Sequence, residues 1–213
     1  MELLAFGGST DVGPLAAALD ASGLEGVLYD DVHDPRGVGL LLFAEDPDAL
    51  VSARGFLNRP PFGDLQLKPE LAMLGRTYAV GYERDLENVL LRRPRQRACS
   101  FPWAVWYPLR RSGTFEQLSD EERHSVLMEH GETGRMFGEA DRAHDIRLAC
   151  HGLDRNDNDF VIGLVGRELH PLSMVVQRMR STRQTSSYLA RLGPFFVGRN
   201  VWSRMEQPME QPR

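Results

Sequence analysis

The chain has 213 residues, 42% hydrophobic and 26% charged, the balance of one large globular domain or two small ones sharing a core. A formal net charge of −5 argues against duplex nucleic acid as a partner, because its phosphates favour a basic face. Two cysteines that form no CxxC pair, no basic start before the short N-terminal apolar run, and no apolar stretch near the roughly 20 residues of a bilayer span together point to a cytoplasmic protein without disulfides or membrane segments.

Glu2 to Phe6 is a short apolar strand stopped by Gly7-Gly8. Pro14 suits the first turn of a helix that Ala16 to Leu19 continue and Gly23 ends. Gly26 to Tyr29 reads as a strand, Asp34-Pro35-Arg36-Gly37 as a turn, and Val38 to Phe43 as another strand. Asp46-Pro47-Asp48 opens a helix to about Leu57, and Asn58-Arg59-Pro60-Pro61 breaks it. Pro69 to Leu91 is mostly helical in character, interrupted near Gly75 and Gly81. Arg92-Arg93-Pro94-Arg95-Gln96-Arg97 reads as a solvated basic linker rather than an anion site.

Trp103 to Leu109 begins the second half as a strand. Ser119-Asp120-Glu121-Glu122 matches a capping box, so a helix starts near Asp120 and runs through His130. Asp145 to His151 alternates: Ile146, Leu148 and Cys150 point one way, Asp145, Arg147, Ala149 and His151 the other. Phe160 to Val165 is a strand, about Leu172 to Leu192 is helical, and Pro194 to Gly198 is the closing strand. Strand-helix-strand-strand-helix-strand is the ferredoxin-like order. Element order therefore predicts an α+β protein of two ferredoxin-like halves, residues 1–98 and 99–200, with antiparallel sheets and helices outside. The twofold Met-Glu-Gln-Pro at Met205 and Met209 marks 201–213 as a disordered tail.

His130 is the first candidate for chemistry. Gly134 lies one helical turn on and shares its face, so an imidazole could reach a metal while the bare backbone admits a flat macrocycle. If Ile146, Leu148 and Cys150 pack under the helices, Asp145 and Arg147 project from the other side of the sheet, toward water or into a wet cavity. His124 faces elsewhere and reads as solvated, and His144 and His151 flank the strand. No HxxxH or HExxH zinc signature occurs. Asp154, Asp157 and Asp159 alternate along a loop that lacks the glycine and terminal glutamate of a calcium hand.

Five short segments occur in one order: Tyr107-Pro108-Leu109-Arg110-Arg111, His130 to Arg135, Gly152-Leu153-Asp154, Met179-Arg180 with Tyr188, and Gly193 to Gly198. Together they resemble the chlorite dismutase family, most closely its coproheme decarboxylase branch, from about Trp103 to Gly198. The resemblance implies a dimeric αβ-barrel holding haem b or coproheme in the C-terminal half, and a homo-oligomer, commonly a pentamer. It implies that His130 is the proximal iron ligand and Tyr107 the redox-active phenol beside a propionate. Arg111, Arg180 and Thr185 fall on propionate-side positions, where arginine offers carboxylates a planar fork. The partners implied are a porphyrin and a peroxide or small oxyanion. On the distal side, counting back from Gly152 selects Asp145, whereas a shift of two selects Arg147. Asp145 would suit peroxide deprotonation and Arg147 would suit holding an anion.

The expected function is a peroxide-dependent haem oxidoreductase, with oxidative decarboxylation of coproheme as its specific candidate. A non-catalytic haem or porphyrin carrier, a true chlorite dismutase using Arg147, and a cofactor-free ferredoxin-like dimer are the alternatives.

Overall fold

The computed structural model describes residues 1–81 and 83–205; Tyr82 and residues 206–213 lie outside the described residues. In chain order the elements are β1 (Glu2–Gly7), α1 (Gly13–Ser22), β2 (Gly26–Asp31), β3 (Val38–Leu42), α2 (Pro47–Leu57), β4 (Gln66–Leu74) and β5 (Arg76–Thr77). A π-helical turn (Asn88–Arg92) runs into α3 (Arg93–Ser100). Then come β6 (Trp103–Arg111), α4 (Gly113–Glu116), α5 (Asp120–Glu139), β7 (His144–Ala149), β8 (Phe160–Gly166), α6 (Leu169–Arg180), α7 (Arg183–Tyr188), β9 (Leu189–Leu192) and β10 (Phe196–Arg204).

The helix starts obey local chemistry. Pro14 occupies the first turn of α1, and Gly23 takes the left-handed φ of 75° that ends it. The Asp46 carboxylate accepts the Asp48 N–H at the start of α2, and Ser119 and Glu122 form the reciprocal capping box of α5.

The strands form one antiparallel ten-stranded sheet in the order β4-β1-β3-β2-β10-β6-β8-β7-β5, with β9 beside β6. With β9 set aside, the first four positions repeat in the next four: fourth, first, third and second strand of each half, which is the ferredoxin-like order twice over. Thus the two expected sheets are one sheet, joined where β10 pairs β2 from Gly26 to Asp31. Its two ends are a single run of chain, because β4 pairs β1 through Leu74 and β5 pairs β7 from Arg76. Gly75 is the joint. A Cβ there would lie 2.7 Å from Leu148 Cβ and 2.8 Å from Cys150 Sγ, so only glycine fits.

Alternation along the strands sorts the apolar residues into three layers. One sheet face carries a core shared by both halves, with Leu3, Tyr29 and Leu41 from the first and Trp106, Ile146, Leu148 and Cys150 from the second. On the other face, α1 and α2 cover Phe6, Leu28 and Leu40, while α5 and α6 cover Val105, Tyr107 and Leu164.

Four expectations change. Of residues 69–91, expected to be mostly helical, 69–74 belong to β4, whose Leu71 to Leu74 suit a strand end as well as a helix face, 76–77 form β5, and the π-helical turn starts only at Asn88. Pro69 sits where the β1–β4 register slips between Leu3 and Ala5, a bulge that tolerates its missing N–H. The basic linker is helical from Asn88 to Ser100. The expected Leu172–Leu192 helix breaks at Thr182, whose ψ of 150° is extended, and ends in β9. The tail expected from 201 is still strand to Arg204. Among the described residues, no helix is long and apolar enough to cross a membrane.

Candidate functional site

The register sets the site. Tyr107 pairs Ile162, which pairs Arg147; Val105 pairs Leu164, which pairs Asp145. These two rows share one sheet face, and Tyr107 and Leu164 place that face under the α5–α6 layer. The expected arrangement of β7 is therefore reversed. Ile146, Leu148 and Cys150 fill the shared core, and Asp145 and Arg147 lie on the helix side. The reason is that both sheet faces are covered in this half, and β7 turns its more apolar side to the core shared by the halves.

His130 comes to this face from the middle of α5 and is half-buried. Burial pushes its pKa down, the positive charge of Arg111 pushes it further, and Glu129 and Asp145 oppose. The imidazole is thus held neutral near pH 7, the form that can donate a lone pair. Its Nδ1 lies 3.1 Å from Thr182 Oγ1.

Arg111 ends β6 with its guanidinium 4.3 Å from the Phe115 ring centre and 4.8 Å from that of Phe160. Its backbone N–H donates to Asp159 Oδ2 at 2.7 Å. Its Nε is buried and makes no hydrogen bond. A buried cationic donor without an acceptor is costly, and burial accordingly lowers the Arg111 pKa. An anion entering this site would satisfy it.

Tyr107 is 6% exposed and its ring lies 4.8 Å from that of Phe195. Burial, then the charge of Asp145, raises its pKa well above the usual phenol range, so it is a neutral phenol. Asp145 is shared by two arginines: Oδ1 is 3.2 Å from Arg97 Nη1, and Oδ2 is 3.2 Å from Arg147 Nε. The Arg147 guanidinium lies 5.6 Å from the Tyr78 ring centre.

Hence His130, Arg111, Tyr107, Asp145 and Arg147 occupy one electrostatic neighbourhood. Arg180 is exposed at the end of α6, and Thr185 is half-buried in α7. Among the described residues, no hydrogen bond or ion pair joins either to the others. At Gly134 an added Cβ would meet only Met179 Cε, at 3.5 Å, so the protein's own packing does not demand glycine there.

Three residues escape a reading of the sequence. Arg97 belongs to the supposed linker. Tyr78 follows a two-residue strand with no alternation of its own. Thr182 is absorbed into a continuous helix, although a threonine ahead of Arg183-Gln184-Thr185 is a helix-start signal. The acidic loop is structural: Asp154 accepts from Asn156 N, Asn158 N and Asn158 Nδ2, and Asp157 pairs with Arg110. Among the described residues, no group of three or more acidic, histidine or cysteine side chains could hold a metal ion.

Residues 33–201 match the sequence model of a family described as chlorite dismutase. No curated protein matches the sequence. Among solved structures, the chain is similar to a heme-binding protein from Thermus thermophilus, at 19% identity over 93% of this chain and 90% of that one, with a TM-score of 0.72. It is also similar to a chlorite dismutase variant from Candidatus Nitrospira defluvii in complex with cyanide, at 15% identity over 93% and 89%, with a TM-score of 0.68. The same enzyme in complex with imidazole aligns at 15% identity over 93% and 89%, with a TM-score of 0.66.

Proposed function

Since the chain belongs to the chlorite dismutase family, we propose that it is a haem-binding oxidoreductase that uses peroxide, with the propionates of coproheme as its specific substrate. The observation that carries this reading is Arg111 beside His130. One site offers a neutral imidazole and a buried guanidinium nitrogen without an acceptor. An iron porphyrin answers both, with a metal at its centre and carboxylates at its rim. The residues present therefore fit the group. His130 would hold the iron, Arg111 a propionate, and Arg180 and Thr185 further propionate contacts from α6 and α7. Bound haem would supply one-electron oxidation driven by peroxide.

The chain's own contribution is positioning and charge. Tyr107 keeps its proton in a dry setting until an oxidant removes an electron and a proton together. The chemistry supplied with coproheme bound would be loss of carbon dioxide, a proton and two electrons from a propionate to leave a vinyl group, with peroxide taking the electrons to give water. Asp145 would be the carboxylate that takes the first proton from peroxide.

A non-catalytic haem carrier is the second reading. It draws on Asp145, whose oxygens are each engaged by an arginine, Arg97 and Arg147. The experiment that separates the two titrates the apoprotein with haem b and with coproheme, then adds peroxide and follows product mass. A Soret band, lost in His130→Ala with the fold intact, and stepwise loss of carboxyl groups from coproheme are expected. Binding without mass change leaves the carrier. No Soret change on addition of either porphyrin would end both readings.

A further inference from the structure

Thr182 is the N-cap of α7, yet its hydroxyl makes no capping hydrogen bond. It is 5% exposed and spends its side chain elsewhere. Thr182 Oγ1 donates to the Met179 carbonyl oxygen at 2.7 Å and stands 3.1 Å from His130 Nδ1. A threonine hydroxyl has one proton and two lone pairs. The Met179 oxygen can only accept, and although it also takes the Thr182 N–H at 3.0 Å, its contact is the shorter of the hydroxyl's two, which assigns the hydroxyl proton to it. Toward His130 only a lone pair remains, and His130 Nδ1 must be the donor. The neighbouring contacts hold this arrangement in place. The Glu129 carboxylate accepts from Arg183 N at 3.1 Å and from Arg183 Nε at 2.6 Å, and Arg183 Nη2 donates to Ser125 Oγ at 2.8 Å. Two consecutive residues of α5 are thus tied to two consecutive residues at the α6–α7 break.

We infer that Thr182 is the positioning residue of the iron ligand: it holds His130 as the Nδ1–H tautomer, leaves the Nε2 lone pair for metal, and does so with a neutral acceptor. This rests on the reading of His130 as the ligand, and it adds a consequence for the metal. A carboxylate behind a ligating imidazole raises its basicity, whereas a hydroxyl whose own proton is committed to a carbonyl draws less on the Nδ1–H. The imidazole is then a weaker donor, and iron bound to it favours the reduced state more than it would with a carboxylate partner.

The tautomer is tested without any haem. In the apoprotein, in mildly alkaline buffer, nitrogen NMR of the His130 ring should show Nδ1 protonated and Nε2 bare. Thr182→Val should shift the ring toward the Nε2–H tautomer, and Thr182→Ser should restore the native pattern. A native Nε2–H ring, or no shift in Thr182→Val with the fold intact by circular dichroism, overturns the assignment. The donor strength is tested in the haem-loaded protein. Thr182→Asp should lower the midpoint potential relative to the native protein, and an unchanged or higher potential overturns that part. If the native protein takes up no haem while the apoprotein tautomer is as stated, the ligand reading has failed and the positioning of the ring stands.

Discussion

Arg111 carries a buried guanidinium nitrogen without an acceptor, and its substitution should be read in binding. A hydrogen bond to a charged group is worth about 1.5–3 kcal/mol, so Arg111→Gln should weaken haem or coproheme binding roughly ten- to hundredfold in a Soret titration. An unchanged affinity would mean that the unpaired nitrogen meets no propionate. Tyr107 is a different case, because its phenol oxygen lies in a packed layer and no described hydrogen bond depends on it. Tyr107→Phe should leave porphyrin affinity near native and cut coproheme turnover by orders of magnitude. Native turnover would reduce Tyr107 to a packing residue against Phe195. Asp145→Ala should slow peroxide consumption more than Arg147→Ala does, with chlorite turnover weak or absent. Rapid oxygen release from chlorite, lost in Arg147→Ala, would reverse that ranking and make Arg147 the distal group. His130 stands out in sequence because Gly134 shares its helix face, whereas Arg111 and Tyr107 are singled out only by the resemblance of their segment to the family, since nothing in the periodicity of that strand marks them. Thr182 and Arg97 are not legible there, since their roles depend on where a helix breaks and which strand edge it meets, and neither is written in local periodicity.

At the scale of elements, a polar tie between neighbours anchors β4. Lys68 on β4 lies 3.1 Å from Asp31 Oδ2 and 2.7 Å from Asp34 Oδ2, tying that strand to the β2–β3 turn. Burial opposes the Lys68 ammonium, but its hydrogen bonds to Asp34 and Asp31 hold the pKa above the usual lysine value. The bond to Lys68 holds the Asp34 pKa below the usual range. A raised lysine stabilises the fold below its unfolded pKa, near 10, and a lowered aspartate stabilises it above its unfolded pKa, near 4. The stability difference between native and Lys68→Met should therefore be flat between about pH 5 and 9 and shrink as pH falls below about 4. Urea melts across that range check it, and a difference that persists undiminished at acid pH would place its origin in the lysine's methylene packing. The turn of Asp34 to Gly37 is visible in sequence. The strand it anchors is not, because β4 carries Pro69 and an irregular register, and it becomes a strand only through its pairing with β1.

For the whole molecule, the full ferredoxin-like order is legible from element order in the second half, but the first half's fourth strand and the single sheet are not. The single sheet depends on β2–β10 and β5–β7 pairings between residues more than 70 positions apart. Gly75→Val should test the joint directly. Its side chain would collide with Leu148 and Cys150, and overpacking of this kind costs about 1–3 kcal/mol, or roughly 2–12 °C in Tm for a chain of this size. A Tm within error of native would show that the joint yields. The joint also has a consequence for time. Arg76 and Thr77 are residues of the N-terminal half, yet their amides are neighbours of Ala149 and Leu148 on the strand that carries Asp145 and Arg147. Whatever quiets β7 when the site is filled should slow hydrogen exchange there too, so two amides far from the porphyrin in sequence would act as its reporters.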